Sequence, residues 1–150
     1  MHGAAGGTMR RVKRILEMKG HEVWSIEPSA SVYDAIHLLA EKEIGALLVM
    51  TGNELVGIFS ERDYARQIIL KDRSSEDTKV QDIMTKEVVR VQPNDEIADC
   101  MTLMTERRFR HLPVIEDGKV IGVISIGDLV GAVIAQQQST IDDLEKYISG

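Results

Sequence analysis

The sequence predicts an α+β protein built from two tandem copies of one β-α-β-β-α unit. Three observations carry this. At one constant, gapless displacement the chain matches itself: Val23 falls on Val88, Pro28 on Pro93, Asp34 on Asp99, Leu47 on Leu112, Gly57 on Gly122 and Asp63 on Asp128. Within each copy the apolar spacing switches from strand to helix and back. Each copy ends on the same local pattern, Gly, two apolar residues, then Ser-x-x-Asp.

The elements follow in order. Residues 1–9 read as a flexible leader. Arg10 to Met18 sets Val12, Ile15 and Leu16 on one side, as a helix does. Val23 to Ile26 is a short strand that Pro28 ends, and Val88 to Val91 with Pro93 is its twin. The next helix, Ser31 to Glu43, carries Val32, Ala35, Ile36 and Leu39 at helical spacing. Ile97, Cys100, Met101 and Met104 repeat it. The apolar run Ala46 to Met50 and its twin Leu112 to Ile115 are strands. Gly-Asn and Asp-Gly then signal tight hairpins, returning through Leu55 to Phe59 and Val120 to Ile124. Ser60 and Ser125 open the closing helices, and Ser139 to Ile148 reads as a further helix. The organisation is therefore 10–71 for the first copy, a polar linker at 72–79, 80–135 for the second, and a C-terminal helix at 136–150. So small a sheet cannot cover both of its own faces, so the two copies are expected to bury a shared core.

Composition narrows the function. Apolar residues are 43% and charged residues 28%, ordinary for a globular protein. No apolar run approaches the roughly 20 residues that span a bilayer, which favours a cytoplasmic protein with no membrane partner. The formal charge of −6 disfavours nucleic acid, whose phosphates reward a basic face. The one cysteine, Cys100, lies in an apolar helical pattern and reads as a buried small residue in a reducing compartment.

The repeated ending is the candidate site. Gly57-Ile58-Phe59-Ser60-Glu61-Arg62-Asp63 stands opposite Gly122-Val123-Ile124-Ser125-Ile126-Gly127-Asp128. Its plain reading is a helix start: Ser caps, and Asp three residues on returns a hydrogen bond, worth about 1 kcal/mol. The same position has a second chemistry. A helix mouth offers unpaired N–H groups and partial positive charge to a phosphate. A carboxylate beside it can accept both hydroxyls of a ribose.

With Ile44-Gly45-Ala46-Leu47-Leu48-Val49 and Arg110-His111-Leu112-Pro113-Val114, these features resemble a CBS domain pair, or Bateman module, over about Val12 to Val133. The resemblance implies packing about a pseudo-twofold axis, clefts between the domains for AMP, ADP, ATP, NAD or another adenosyl ligand, and a disc-like homodimer acting on a downstream protein. It implies no catalytic cofactor. It maps ribose binding to Asp63 and Asp128, and the hydroxyl position to Ser60 and Ser125. Gly20 and Thr85 map to the residue ahead of the first strand. Adenine contacts map to Val23 with Ile44 and Ala46, and to Val88 with Phe109 and Pro113; Gly45, Ile58 and Ile124 are further nucleotide-binding candidates. The sites are expected to differ. Lys19 and Arg62 supply phosphate contacts at the first, and Arg110 and His111 at the second.

Two rivals stand against a nucleotide sensor. An enzyme would need machinery the chain does not display: His2, His21, His37 and His111 lack metal-site spacing, and no Ser-His-Asp set has a nucleophile-elbow context. A structural or interaction protein would use the Ser-x-x-Asp motifs as caps alone.

Overall fold

The computed structural model describes residues 10–149, so the leader expected at 1–9 lies outside the described residues. In chain order these form α1 (Val12–Lys19), β1 (Ser25–Ile26), α2 (Val32–Lys42), β2 (Ala46–Thr51), β3 (Glu54–Ser60) and α3 (Glu61–Tyr64). A π-helical turn, Ala65–Ile69, continues α3, and α4 (Val80–Ile83) follows. The rest is α5 (Ile97–Arg107), β4 (His111–Glu116), β5 (Lys119–Ser125) and α6 (Ile126–Ser149). The mixed helix and strand class is as the sequence predicts, and a helix, a hairpin and a closing helix recur in both copies.

The compact units do not follow the repeat boundaries. One unit is Glu22–Val89; the other joins the described residues through His21 to those from Arg90 onward. Each repeat's leading segment therefore packs with the other repeat. In the Glu22–Val89 unit, β1 runs parallel to β2, and β2 antiparallel to β3. Val32, Ala35 and Leu39 of α2 pack on Leu47, Val49 and Phe59 of the sheet. Val80 and Ile83 of α4 close that core. In the other unit β4 and β5 form the hairpin. Ile97, Cys100 and Met104 of α5 are buried with Leu112, Val114 and Ile124, and Val12, Ile15 and Leu16 of α1 are buried beside them. Burying each of those three α1 side chains is worth about 1.5–3 kcal/mol. Among the described residues, no helix is long and apolar enough to cross a membrane.

Two expectations change, and the linker takes on a role. The strand expected at Val88–Val91 contracts to one parallel bridge, Val91 to Val114. Its amide donates to Pro113 O at 3.0 Å, and Gln92 N then turns away to cap onto Asp95 Oδ2 at 2.7 Å. The polar linker also serves α2. The first amides of α2, on Val32 and Tyr33, donate to Thr78 O and Ser75 O at 2.9 and 3.0 Å. Those are the groups a helix start leaves unpaired. The separate C-terminal helix is the second half of α6, one run of 24 residues. Thr140 Oγ1 donates back to Gln136 O at 3.1 Å, so this hydroxyl bonds along the helix instead of breaking it.

The repeated glycines admit the leading segments. A Cβ on Gly122 would stand 2.6 Å from Leu16 Cδ2, and one on Gly57 would stand 2.5 Å from Met84 Sδ and 3.0 Å from Thr85 O. Gly122→Ala is expected to lower unfolding free energy by about 1–3 kcal/mol through overpacking. Gly57→Ala should do the same, since the Thr85 carbonyl cannot rotate aside. Urea denaturation of each variant checks this, and unchanged midpoints would contradict the close approach.

Candidate functional site

The two helix mouths are built alike. In the first, Ser60 Oγ accepts from Asp63 N at 3.2 Å and donates to Asp63 Oδ2 at 3.1 Å. Ser60 N donates to Asp63 Oδ2 at 3.0 Å. This is a complete capping box. In the second, Ser125 Oγ accepts from Asp128 N at 3.1 Å and Ser125 N donates to Asp128 Oδ2 at 2.8 Å. The sheet delivers Gly45 and Arg110 to these mouths: their carbonyls accept from Glu61 N at 3.1 Å and Ile126 N at 2.9 Å. Ala46 and His111 are the register partners of Ser60 and Ser125.

The leading segments add a third partner to each carboxylate, and here the mouths diverge. Thr85 Oγ1 donates to Asp63 Oδ1 at 3.2 Å, while Thr85 and Ile58 exchange backbone hydrogen bonds of 3.0 and 2.9 Å. At the other mouth, Lys19 Nζ donates to Asp128 Oδ2 at 2.7 Å and to Val123 O at 2.8 Å. Lys19 was expected at the first site; it stands at the second, because α1 packs in the unit that holds Asp128. Gly20, at φ 96°, turns the chain out of α1 directly after it.

Electrostatics follows the partners. Burial raises the Asp63 carboxyl above its usual 3.8; bonds from the Ser60 amide and hydroxyl and from Thr85, with the charge of Arg62, offset this only partly. Burial also pushes Asp128 upward, but Lys19 and Ser125 together outweigh it and hold it below 3.8. His111 is lowered from 6.5, first by burial, then by the charge of Lys19; Asp128 opposes this and Arg110 adds to it. Burial, with Asp95 and Asp99, lifts the Cys100 thiol to about 11, so it is an inert core group.

The remaining candidates divide. Ile44 and Gly45 line a cavity of about 630 Å³, shared with Ile36, Ala40, Tyr64 and Ile69. Val23, Val88 and Phe109 are half-buried, and Arg110 is exposed. Two assignments are corrected. Ile124 is fully buried, like its repeat twin Phe59, and the true counterpart of Ile58 is Val123. Pro113 is buried between Leu112 and Val114. Neither Ile124 nor Pro113 offers a face to a ligand. The Lys19–Asp128 pair and the approach of His21 Nδ1, 2.7 Å from Ile121 O, were not anticipated. The self-match does run upstream, Ile15 onto Val80 and Lys19 onto Met84, and so marks the leading segments as part of the repeat.

Comparison with known proteins agrees with this geometry. The CBS domain family model matches residues 12–70 and 80–135. The CBS domain-containing protein CBSX3, mitochondrial, of Arabidopsis thaliana is 45% identical over 125 residues, covering 80% of this chain; the chain spans 61% of that protein's length. A solved CBS-domain protein of Burkholderia ambifaria MC40-6, provisionally assigned to signal transduction, is 52% identical with a TM-score of 0.82, over 85% of this chain and 96% of that one. A CBS domain protein of Pyrobaculum aerophilum, solved with AMP, shares the fold at 21% identity and a TM-score of 0.70, over 79% of this chain and 88% of that one.

The carboxylates should titrate in opposite directions. Carboxyl-detected NMR is expected to place Asp63 above 3.8 and Asp128 below it, and Lys19→Met should move Asp128 upward. Linkage sets the signs. The stabilisation from Asp128 is present above pH 3.8 and lost as pH falls through its lower folded value. Asp63 works the other way: its contribution is greatest below 3.8 and lost as pH rises through its higher folded value. Equal titration of the two in the parent protein would contradict the assigned partners.

Proposed function

The chain belongs to the CBS domain family, and on that premise we propose that it is a regulatory module that binds an adenine nucleotide and signals by changing conformation. The observation that carries this reading is the Asp63 environment. Its carboxylate is buried enough to be raised despite a complete capping box and a threonine donor. Ribose hydroxyls would add donors to this half-buried carboxylate. Asp128 offers the equivalent acceptor. The AMP held by the Pyrobaculum aerophilum protein supports the ligand class.

The two mouths would respond differently. At the first, ribose adds donors beside Thr85, and Arg62 lies close enough for its charge to act on the carboxylate. At the second, ribose competes with Lys19 for Asp128, and the released ammonium turns to the phosphates. Lys19 ends α1, so ligand binding there would pull on α1 and give the protein two states of unequal affinity, the requirement for any ligand-driven shift. Ser60, Ser125 and the helix-mouth amides of both motifs complete the polar surround. A cytoplasmic location and a downstream protein partner belong to the same proposal.

Calorimetry and thermal unfolding with AMP, ATP and NAD test it. A ligand at 100 times its Kd should add about 2.7 kcal/mol of stability. Asp63→Asn and Asp128→Asn should each weaken one site by about 10- to 100-fold, the loss of a charge-assisted hydrogen bond. Lys19→Met should weaken ATP more than adenosine. If no nucleotide binds, while Asp63→Ala and Asp128→Ala each lose about 1 kcal/mol of stability, the motifs are caps and the sensor reading fails.

A further inference from the structure

The matched segments that lead into the two mouths end differently. α4 stops at Ile83, and Met84 is already extended at φ −64°, ψ 157°. Thr85 then exchanges backbone hydrogen bonds of 3.0 and 2.9 Å with Ile58 on the outer edge of β3. At the matched positions α1 runs one residue further, through Lys19. The Gly20 amide, counterpart of the Thr85 amide, donates back to Leu16 O at 2.8 Å. Among the described residues Gly20 forms no bridge with Val123, the counterpart of Ile58. Side chains stand there instead. Lys19 Nζ donates to Val123 O at 2.8 Å, and His21 Nδ1 lies 2.7 Å from Ile121 O. Ile121 and Val123 are alternate residues of β5, so their carbonyls face one edge of it. One strand edge is therefore sealed by backbone, and its twin by two side chains.

We propose that Lys19 is a latch, and that the residue after it is a strap that a bound adenine nucleotide closes onto β5. The Lys19–Asp128 pair, Nζ to Oδ2 at 2.7 Å, holds the last turn of α1 wound. A phosphate that draws the ammonium away lets that turn unwind by one residue. Gly20 N then moves from Leu16 O to Val123 O, and Val123 N gains Gly20 O, the exchange that Thr85 and Ile58 already make. The hydrogen bonds nearly balance. The Gly20 amide changes acceptor, and Val123 O trades an ammonium for an amide. Leu16 O joins the carbonyls that any helix end leaves unpaired. With the backbone so evenly poised, the ion pair decides the free state, and a ligand that removes it selects the other. Gly20 permits both forms. Its φ of 96° is open to glycine, and a Cβ there would meet no heavy atom within 4 Å, so packing does not fix it. Met84, the uncharged counterpart of Lys19, shows the outcome where no latch exists: the helix has ended and the bridge is made. The trigger rests on the nucleotide reading above; the latch does not.

Solution NMR of the full, isotope-labelled chain tests it. In the free parent, the through-hydrogen-bond coupling of Gly20 N should run to the Leu16 carbonyl. In Lys19→Met, with no ligand added, it should move to the Val123 carbonyl, and exchange of the Val123 amide should slow about tenfold. AMP bound to the parent should reproduce both changes. A new coupling and new protection are gains of structure, which an unfolded variant cannot imitate. A coupling that stays on Leu16 in Lys19→Met, or in the parent with AMP bound, overturns the proposal. If AMP does not bind, the nucleotide reading fails and the trigger with it, and Lys19→Met alone still decides the latch.

Discussion

A hairpin and one helix leave part of each small sheet exposed, and a segment from the other repeat closes it. Leu16 lies over Gly122, and Met84 with Thr85 lies over Gly57, at distances no side chain at either glycine would permit. The same crossing carries Lys19 to Asp128 and Thr85 to Asp63. Core closure and site assembly are thus one event. The glycine that opens each Gly-x-x-Ser-x-x-Asp motif belongs to packing, and the Ser and Asp that end it belong to the site.

From this follows the inequality of two motifs that look interchangeable. Both carboxylates are drawn into the protein by the same capping geometry and pay the same kind of desolvation penalty. What differs is the crossing residue. An ammonium at 2.7 Å, with the Ser125 bonds, overcompensates burial at Asp128, whereas a hydroxyl at 3.2 Å, with the Ser60 bonds and the charge of Arg62, undercompensates it at Asp63. A substitution outside the motif, Lys against Met at the matched position before Gly20 and Thr85, therefore sets the electrostatics of the motif itself.

The fold was legible where local chemistry decides. Ser31 caps α2, Asp117-Gly118 adopts the positive φ its hairpin needs, and Val32, Ala35 and Leu39 of one copy and Ile97, Cys100 and Met104 of the other are buried. The carboxylate-and-serine mouths were legible for the same reason. What was not legible depends on long-range partners. Nothing in the residues of α1 says which sheet it will cover, so Lys19 was placed at the wrong mouth. Ile124 was offset by one position against Ile58, and in a strand one position exchanges core for surface. The linker's role escaped because backbone carbonyls, which any sequence supplies, cap α2.

The crossing also orders events during synthesis. Glu22–Val89 is continuous, so its core can close as soon as that stretch has left the ribosome. α1 emerges earlier yet has no sheet to rest on until Arg90 and the residues after it are made. Throughout that interval Val12, Ile15 and Leu16 are an uncovered apolar stripe on a nascent chain, and the first of the described elements is among the last to find its place.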